Sequence, residues 1–291
     1  YSSAASDVYK RQDYFISINE KKFRAVQVYE ALYKRRVTSF DDMTNISKEV
    51  REKLKQDFSF YKIKMLIKQQ GKNVNKYLFE LEDGNKIESV LMFHDYGTSI
   101  CVSSQVGCNM TCAFCESGRL KKVRNLLAYE IVQQILQIEE DINKRITHVV
   151  LMGIGEPFDN YDNVLRFVKI INCGKGIDIG SRHITISTCG VIPGIKKFMN
   201  EEGQVNLAIS LHAPNDTLRS RIMRINKAYP LNELMETIKE YINKTNRRVT
   251  FEYIMLDNVN DSEENAKELA LLLKGINCYV NLIPVSYTHL R

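Results

Sequence analysis

"CNMTCAFCESG", residues 108–118, places Cys108, Cys112 and Cys115 within eight positions of a 291-residue chain. Three thiols this close on one short loop are poor candidates for inert packing. Thiolates at i, i+4 and i+7 can reach three corners of an iron-sulfur cubane, a group that cysteine thiolates hold. Three ligands leave one iron with an open position, where a substrate or cofactor can bind directly. A zinc knuckle completed by a distant Cys or His is the alternative for the same residues.

Outward from the loop, the chain repeats a strand followed by a helix. Strands are predicted at 99–104, 147–153, 183–190, 205–212, 248–256 and 278–285, with amphipathic helical segments at 128–142, 160–171, 231–244 and 262–275. Nearly continuous apolar strands alternating with helices imply a parallel sheet covered by helices, either an open barrel or a doubly wound sheet. The polar residues choose between them. The cysteine loop follows the first strand, Gly155-Glu156 follows the second, Ser187-Thr188 ends the third, and Ser210 with His212 ends the fourth. Four successive strands deliver their unusual residues to one rim, the arrangement of a barrel with its site at the C-terminal ends of the strands. The fold class expected is α/β, an open (β/α)6 partial TIM-type barrel over 99–285.

A small basic helical domain (13–62) and a β-hairpin (63–98) are predicted to precede this barrel. Phe23–Arg36 and Ser47–Phe58 carry apolar residues at helical intervals, the second opening on Ser47 as an N-cap. Two alternating runs flank Asp83-Gly84-Asn85, a hairpin signal. The chain carries a net charge of +6, and Lys10–Lys76 alone holds 17 Lys or Arg against 8 Asp or Glu. A basic stretch on an otherwise balanced body suggests a polyanionic partner; a solvated helical surface is the plainer alternative. Seven cysteines, an odd number, suit a reducing compartment, and the cytoplasm is expected. No apolar stretch approaches the roughly 20 residues of a membrane helix. Residues 1–12 and 286–291 read as adapter-derived tails outside the natural sequence.

The wider pattern resembles a known family. CxxxCxxC with an aromatic before its last cysteine is similar to the radical S-adenosylmethionine superfamily. "CVSSQVGCNMTCAFC", "KVRNL", "MGIGEPFDN", "STCGVIPGI", "LAISLHAPND", "INKAYP", "RVTFEYIML" and "NLIP" together resemble the dual-specificity ribosomal and transfer RNA adenine carbon-2 methyltransferases. The likeness runs over nearly all of Asp13–Val285.

By that resemblance, Cys108, Cys112 and Cys115 hold a four-iron four-sulfur cluster whose open iron chelates S-adenosylmethionine, and reductive cleavage gives a 5'-deoxyadenosyl radical. Gly155 and Glu156 lie against the methionine end of the cofactor; Ser187, Ser210, Leu211 and His212 complete its pocket, and Phe114 joins the cofactor site. Taken alone, "GIGEPF" is a weak dinucleotide fingerprint, because Phe158 takes the third glycine position. His212 alone reads as a strand-end histidine. The resemblance makes Glu88 the proton-accepting carboxylate and Cys101 the thiol that resolves a covalent protein–RNA intermediate. Cys173, Cys189 and Cys278 are expected to be structural. The implied partners are 23S ribosomal RNA, transfer RNA and a reductant such as flavodoxin or ferredoxin, with the protein a monomer. The family's methyl-carrying cysteine is expected beyond Val285, so cluster assembly is expected of this chain and methyl transfer is not. The related carbon-8 methyltransferases share most of these features, although "GIGEP" and "SLHAPND" look more like the carbon-2 group. A zinc-bearing RNA-binding protein is the non-enzymatic alternative.

Overall fold

The structure is a computed structural model that describes residues 8–284. Of the expected tails at 1–12 and 286–291, residues 1–7 and 286–291 lie outside the described residues, as does Val285. Two compact units divide the chain. One takes the described residues up to Ile100 with Leu126–His148 and Asp162–Gly180; the other takes Cys101–Asn125, Val149–Tyr161 and the described residues from Ser181 onward.

The first unit opens with three helices, α1 (Val8–Ser17), α2 (Phe23–Tyr33) and α3 (Lys48–Asp57). Helix α1 runs across residue 13, where the helical domain was expected to begin. Ser47 caps α3 as predicted, its hydroxyl accepting from the Val50 N–H at 3.5 Å and satisfying one of the donors that every helix start leaves open. Phe15, Ala25, Val28, Tyr29, Phe40, Met43 and Leu54 are buried together, the apolar faces that the helical spacing announced. Strands β1 (Lys64–Gln70), β2 (Val74–Glu80), β3 (Lys86–His94) and β4 (Gly97–Cys101) follow in spatial order. The predicted hairpin joins β2 to β3: Gly84 takes φ +79°, which suits a residue without Cβ, and the Asp83 carboxylate accepts from the Asn85 N–H at 3.1 Å. β1 extends this hairpin to a third antiparallel strand that the alternation of 77–93 did not announce. Helices α4 (Ala128–Ile142) and α5 (Tyr161–Asn172) are built largely from this unit's residues. Ser89 on β3 donates to Gln134 on α4 at 2.7 Å, and the Tyr29 hydroxyl donates to the Ile170 carbonyl on α5 at 2.7 Å.

The second unit contains a two-stranded pair, β5 (Gln105–Val106) with β6 (Arg124–Asn125), and the strands β7 (His148–Leu151), β8 (Ile184–Thr188), β9 (Asn206–Ser210), β10 (Val249–Met255) and β11 (Cys278–Pro284). Within this unit the spatial order is β7-β8-β9-β10-β11, and these pairs are parallel. Five strands in sequence order match the last five of the expected (β/α)6 arrangement. The series ends on β11, so the sheet stays open. Strands β8, β9 and β10 are buried at most positions, which is why they read as near-continuous apolar runs. Helices α6 (Ile192–Phe198), α7 (Asp216–Ile222), α8 (Leu231–Thr245) and α9 (Glu263–Leu272) complete the unit. α6 packs on α8 through the stacked rings of Phe198 and Tyr241. The short α6 and α7 were not among the predicted helices. No described helix is long and apolar enough to cross a membrane.

Candidate cluster and cofactor site

The cysteine loop hangs from the β5–β6 pair, in which Gln105 faces Asn125 and Val106 faces Arg124. Gly107 closes it. Its φ is +73°, and a Cβ there would lie 2.1 Å from the Lys121 carbonyl oxygen, so any side chain would force the two arms apart. The Cys108 N–H donates to the Leu120 carbonyl at 2.9 Å, and the Cys115 N–H to that of Cys112 at 3.2 Å. Across the loop, the Ala113 N–H donates to the Ile222 carbonyl at the end of α7 at 2.9 Å. Burial pushes the Cys112 thiol up to about 12, and the adjoining Cys115 and Cys108 act in the same direction. Burial likewise raises Cys108, with Cys115 among its neighbours. Cys108 and Cys115 are thus close enough to Cys112 to bear on its titration, and all three are free thiols.

This donor set fits a cluster. Among the described residues no three His, Cys, Asp or Glu side chains converge on one point closely enough to hold a single metal ion. A cubane takes one thiolate at each of three separate irons, which suits three neighbouring thiols on a loop.

The segment after β7 is laid onto the segment after β4. The Gly153 N–H donates to the Val102 carbonyl at 3.1 Å, the Ile154 N–H to Ser103 Oγ at 3.0 Å, and the Asn160 Nδ2 to the Ser104 carbonyl at 2.8 Å. Gly155 adopts φ +106°, and its missing Cβ would lie 2.5 Å from Cβ of Gln105. Gln105 is wholly buried: its Oε1 accepts from the Glu156 N–H at 2.9 Å, and its Nε2 donates to Asn125 and Asp159. Glu156 is 3% exposed. One of its carboxylate oxygens accepts from the Phe158 N–H at 3.0 Å and the other from the Cys189 N–H at 2.8 Å. Burial pushes this carboxyl up, opposed by those backbone donors.

At the ends of β8 and β9 lie the buried Ser187, half-buried Ser210, and Leu211 and His212. His212 is 5% exposed and holds φ +58°, a left-handed conformation uncommon for a residue with a Cβ. Its Nδ1 accepts from the Ile254 N–H at 3.0 Å, which places the ring proton on Nε2. Burial, seconded by the Arg219 cation, pushes its pKa down to about 3, so the imidazole is neutral. Phe114 from the cysteine loop meets it edge to face at 4.7 Å. Asn260 supports this corner, its Nδ2 donating to the carbonyls of His212 and Ile254 and its Oδ1 accepting from the Leu256 N–H.

Cys101 ends β4, and burial pushes its thiol up to about 11. Glu88 lies in the first unit on β3, where alternation turns it outward as predicted, and it pairs with Lys76 at 2.8 Å. The remaining candidates fall within the second unit. Sequence reasoning missed Gln105, Arg219 and Asn260. Nothing local distinguishes these polar residues from solvated ones.

A three-cysteine loop after the first strand of an open parallel sheet, with Gly-Glu, Ser-Thr and Ser-Leu-His at the next three strand ends, defines an enzyme of the radical S-adenosylmethionine class. The radical SAM superfamily model matches residues 102–270, and the ribosomal RNA large subunit methyltransferase N-terminal domain model matches 7–59. The probable dual-specificity RNA methyltransferase RlmN of Spiroplasma citri is 57% identical over 268 residues, covering 91% of this chain and 78% of that protein. Its namesake from Streptococcus thermophilus is 57% identical over 280 residues, covering 94% and 72%. A crystal structure of a radical SAM methyltransferase from Sphaerobacter thermophilus superposes with a TM-score of 0.92 at 38% identity, covering 99% of this chain and 86% of that one. The chain belongs to the RlmN family of dual-specificity RNA methyltransferases, radical SAM enzymes whose cofactors are a four-iron four-sulfur cluster and S-adenosylmethionine.

Proposed function

We propose that the cluster and cofactor site of this chain serves methylation of carbon 2 of adenine in 23S ribosomal RNA and transfer RNA, in the cytoplasm and with electrons from a low-potential donor such as flavodoxin or ferredoxin. The observation that carries the reading is the cysteine loop: three free thiols within eight residues, on a loop pinned to β5–β6 at one end and to α7 at the other. Cys108, Cys112 and Cys115 hold the cluster, which when bound supplies one-electron cleavage of S-adenosylmethionine.

The chain's own residues do the rest. Gly155 leaves room for close approach, and Glu156, already fixed by two backbone donors, presents a rigid polar wall to the amino end of the cofactor. Ser187, Ser210 and Leu211 line the strand ends, and neutral His212 offers an Nε2–H donor beside Phe114. Cys101 stays a protonated thiol until a base takes its proton. Glu88, on a solvent-facing position of β3, accepts a proton from the RNA adduct.

The test is anaerobic reconstitution followed by incubation with S-adenosylmethionine, a reductant and either RNA. About four irons and four sulfides per chain and reductant-dependent 5'-deoxyadenosine are expected, with both lost in Cys112→Ala. Product is sought as 2-methyladenosine, using the chain alone and joined to a relative's C-terminal segment. Stoichiometric zinc without a visible iron-sulfur absorbance, or 8-methyladenosine as the product, overturns the reading.

A further inference from the structure

Arg219 is the largest fully buried side chain in the described structure, at 0% exposure. Its guanidinium makes four hydrogen bonds, every one to a neutral acceptor. Nε donates to the Leu211 carbonyl at 3.1 Å, Nη2 to the Cys189 carbonyl at 2.7 Å and the Ser210 carbonyl at 3.2 Å, and Nη1 to Asn226 Oδ1 at 2.8 Å. The nearest carboxylate in this network, Asp216, is one residue removed, accepting from Asn226 Nδ2 at 2.7 Å. Glu156 binds the N–H of Cys189 while Arg219 binds its carbonyl, so the two do not pair directly.

A buried cation without an anion is among the costliest arrangements in a protein interior, and hydrogen bonds to carbonyls compensate only part of it. The location of Arg219 identifies the missing charge. It lies on α7, whose end accepts the Ala113 N–H of the cysteine loop. Cys189, Ile222 and Met223 form one buried cluster against which Cys112 and Phe114 pack. The same guanidinium holds the ends of β8 and β9, the strand ends that carry Ser187 and Ser210. The neighbouring ring, His212, is neutral, and no carboxylate bonds the guanidinium directly.

We propose that Arg219 is the buried counter-charge of the thiolate-bound cluster and raises its reduction potential. The inference rests on the cluster reading above. Reduction by a low-potential one-electron donor adds one negative charge to the cluster and moves no proton or bond. A fixed cation in a low-dielectric surround favours the more negative, reduced form, and net charge is one of the levers that set cluster potentials. Arg219 is thus a positioning residue for backbone and charge, not one that touches the reacting atoms.

The experiment is a redox titration of reconstituted protein without S-adenosylmethionine, followed by electron paramagnetic resonance. Arg219→Gln, with iron content matched to the parent, is expected to have a more negative midpoint, lowering the reduced-to-oxidised ratio at the parent midpoint by about tenfold, or about 59 mV for one electron. Arg219→Lys, which keeps the charge, is expected to stay close to the parent. Should Arg219→Gln fail to fold, the exchange Asp216→Asn with Asn226→Asp tests the same idea. It preserves net charge and brings a carboxylate onto the intact guanidinium, and the midpoint is again expected to fall. An unchanged midpoint in a cluster-loaded Arg219→Gln, or in the exchange variant, overturns the proposal and leaves Arg219 a brace. A parent chain that binds no cluster overturns this inference and the cluster reading together.

Discussion

His212 shows how one side chain can be fixed by its surroundings into a single protonation state. Folded, its pKa is about 3 against 6.5 in a model peptide, the main cause being burial. Below pH 6.5 the unfolded chain takes up a proton that the folded chain refuses, so this residue destabilises the fold as pH falls from about 6.5 toward 3. The loss is of order 1 kcal/mol per pH unit. Denaturant midpoints of the parent should therefore fall more steeply over this window than those of His212→Gln; parallel curves would show that the imidazole is not held neutral. Gly155 makes the complementary point about space. Gly155→Ala places a Cβ 2.5 Å from Gln105 at φ +106°. It should cost roughly 1–3 kcal/mol of unfolding free energy, the usual range for such strain. A loss below about 0.5 kcal/mol, within the range of harmless surface changes, would mean that the Gln105 clamp on Glu156 yields easily.

At the scale of elements, the end of α2 separates usable charge from neutralised charge. Lys34, Arg35 and Arg36 look equivalent in sequence. Arg36 is bound to the Glu139 carboxylate, and Arg35 donates to Asn45 Oδ1 at 3.1 Å. Lys34 has no ionic partner among the described residues, and it lines a cavity of about 860 Å3 with Phe60, Tyr61 and Lys144. If the basic helical region binds RNA phosphates, replacing all three by Ala should reduce the slope of log affinity against log salt by about two units, from Lys34 and Arg35, rather than three. An unchanged slope would make this an ordinary solvated face, and a loss of three would mean that the Arg36–Glu139 pair opens on binding.

Across the whole molecule, seven free cysteines divide into three on one short loop and four elsewhere in the chain. Replacing each by Ala and measuring iron and sulfide after anaerobic reconstitution should abolish loading for Cys108, Cys112 and Cys115. Cys101, Cys173, Cys189 and Cys278 variants should load normally, and a comparable need for any of these four would break the three-ligand reading. Loading must also expel thiol protons, and Cys112 begins at about 12. Cluster assembly should then strengthen as pH rises, with proton release measurable on loading.

The chain's order of strands and long helices, the Ser47 cap, the Asp83-Gly84-Asn85 hairpin and the spacing of the three cluster cysteines were all legible in the sequence. Each depends on periodicity, turn chemistry or ligand spacing over a few residues. The short α6 and α7 were not, because seven residues are too few to display a helical period, and although the β pattern begins at Lys64, the pairing of β1 as a third strand is set by its partner. Arg219 was beyond any local reading: "DTLRSRI" presents it as a solvated helix residue, while the fold surrounds it with carbonyls from Cys189, Ser210 and Leu211, up to 30 residues away. Gln105 and Asn260 have the same history, Gln105 accepting across a gap of 51 residues and Asn260 donating across one of 48. Sequence alone determined which groups are candidates for the chemistry, since ligand type and spacing are local properties. Only the tertiary structure decided which polar residues hold those groups in place, because a hydrogen bond between distant segments exists only after the strands have paired.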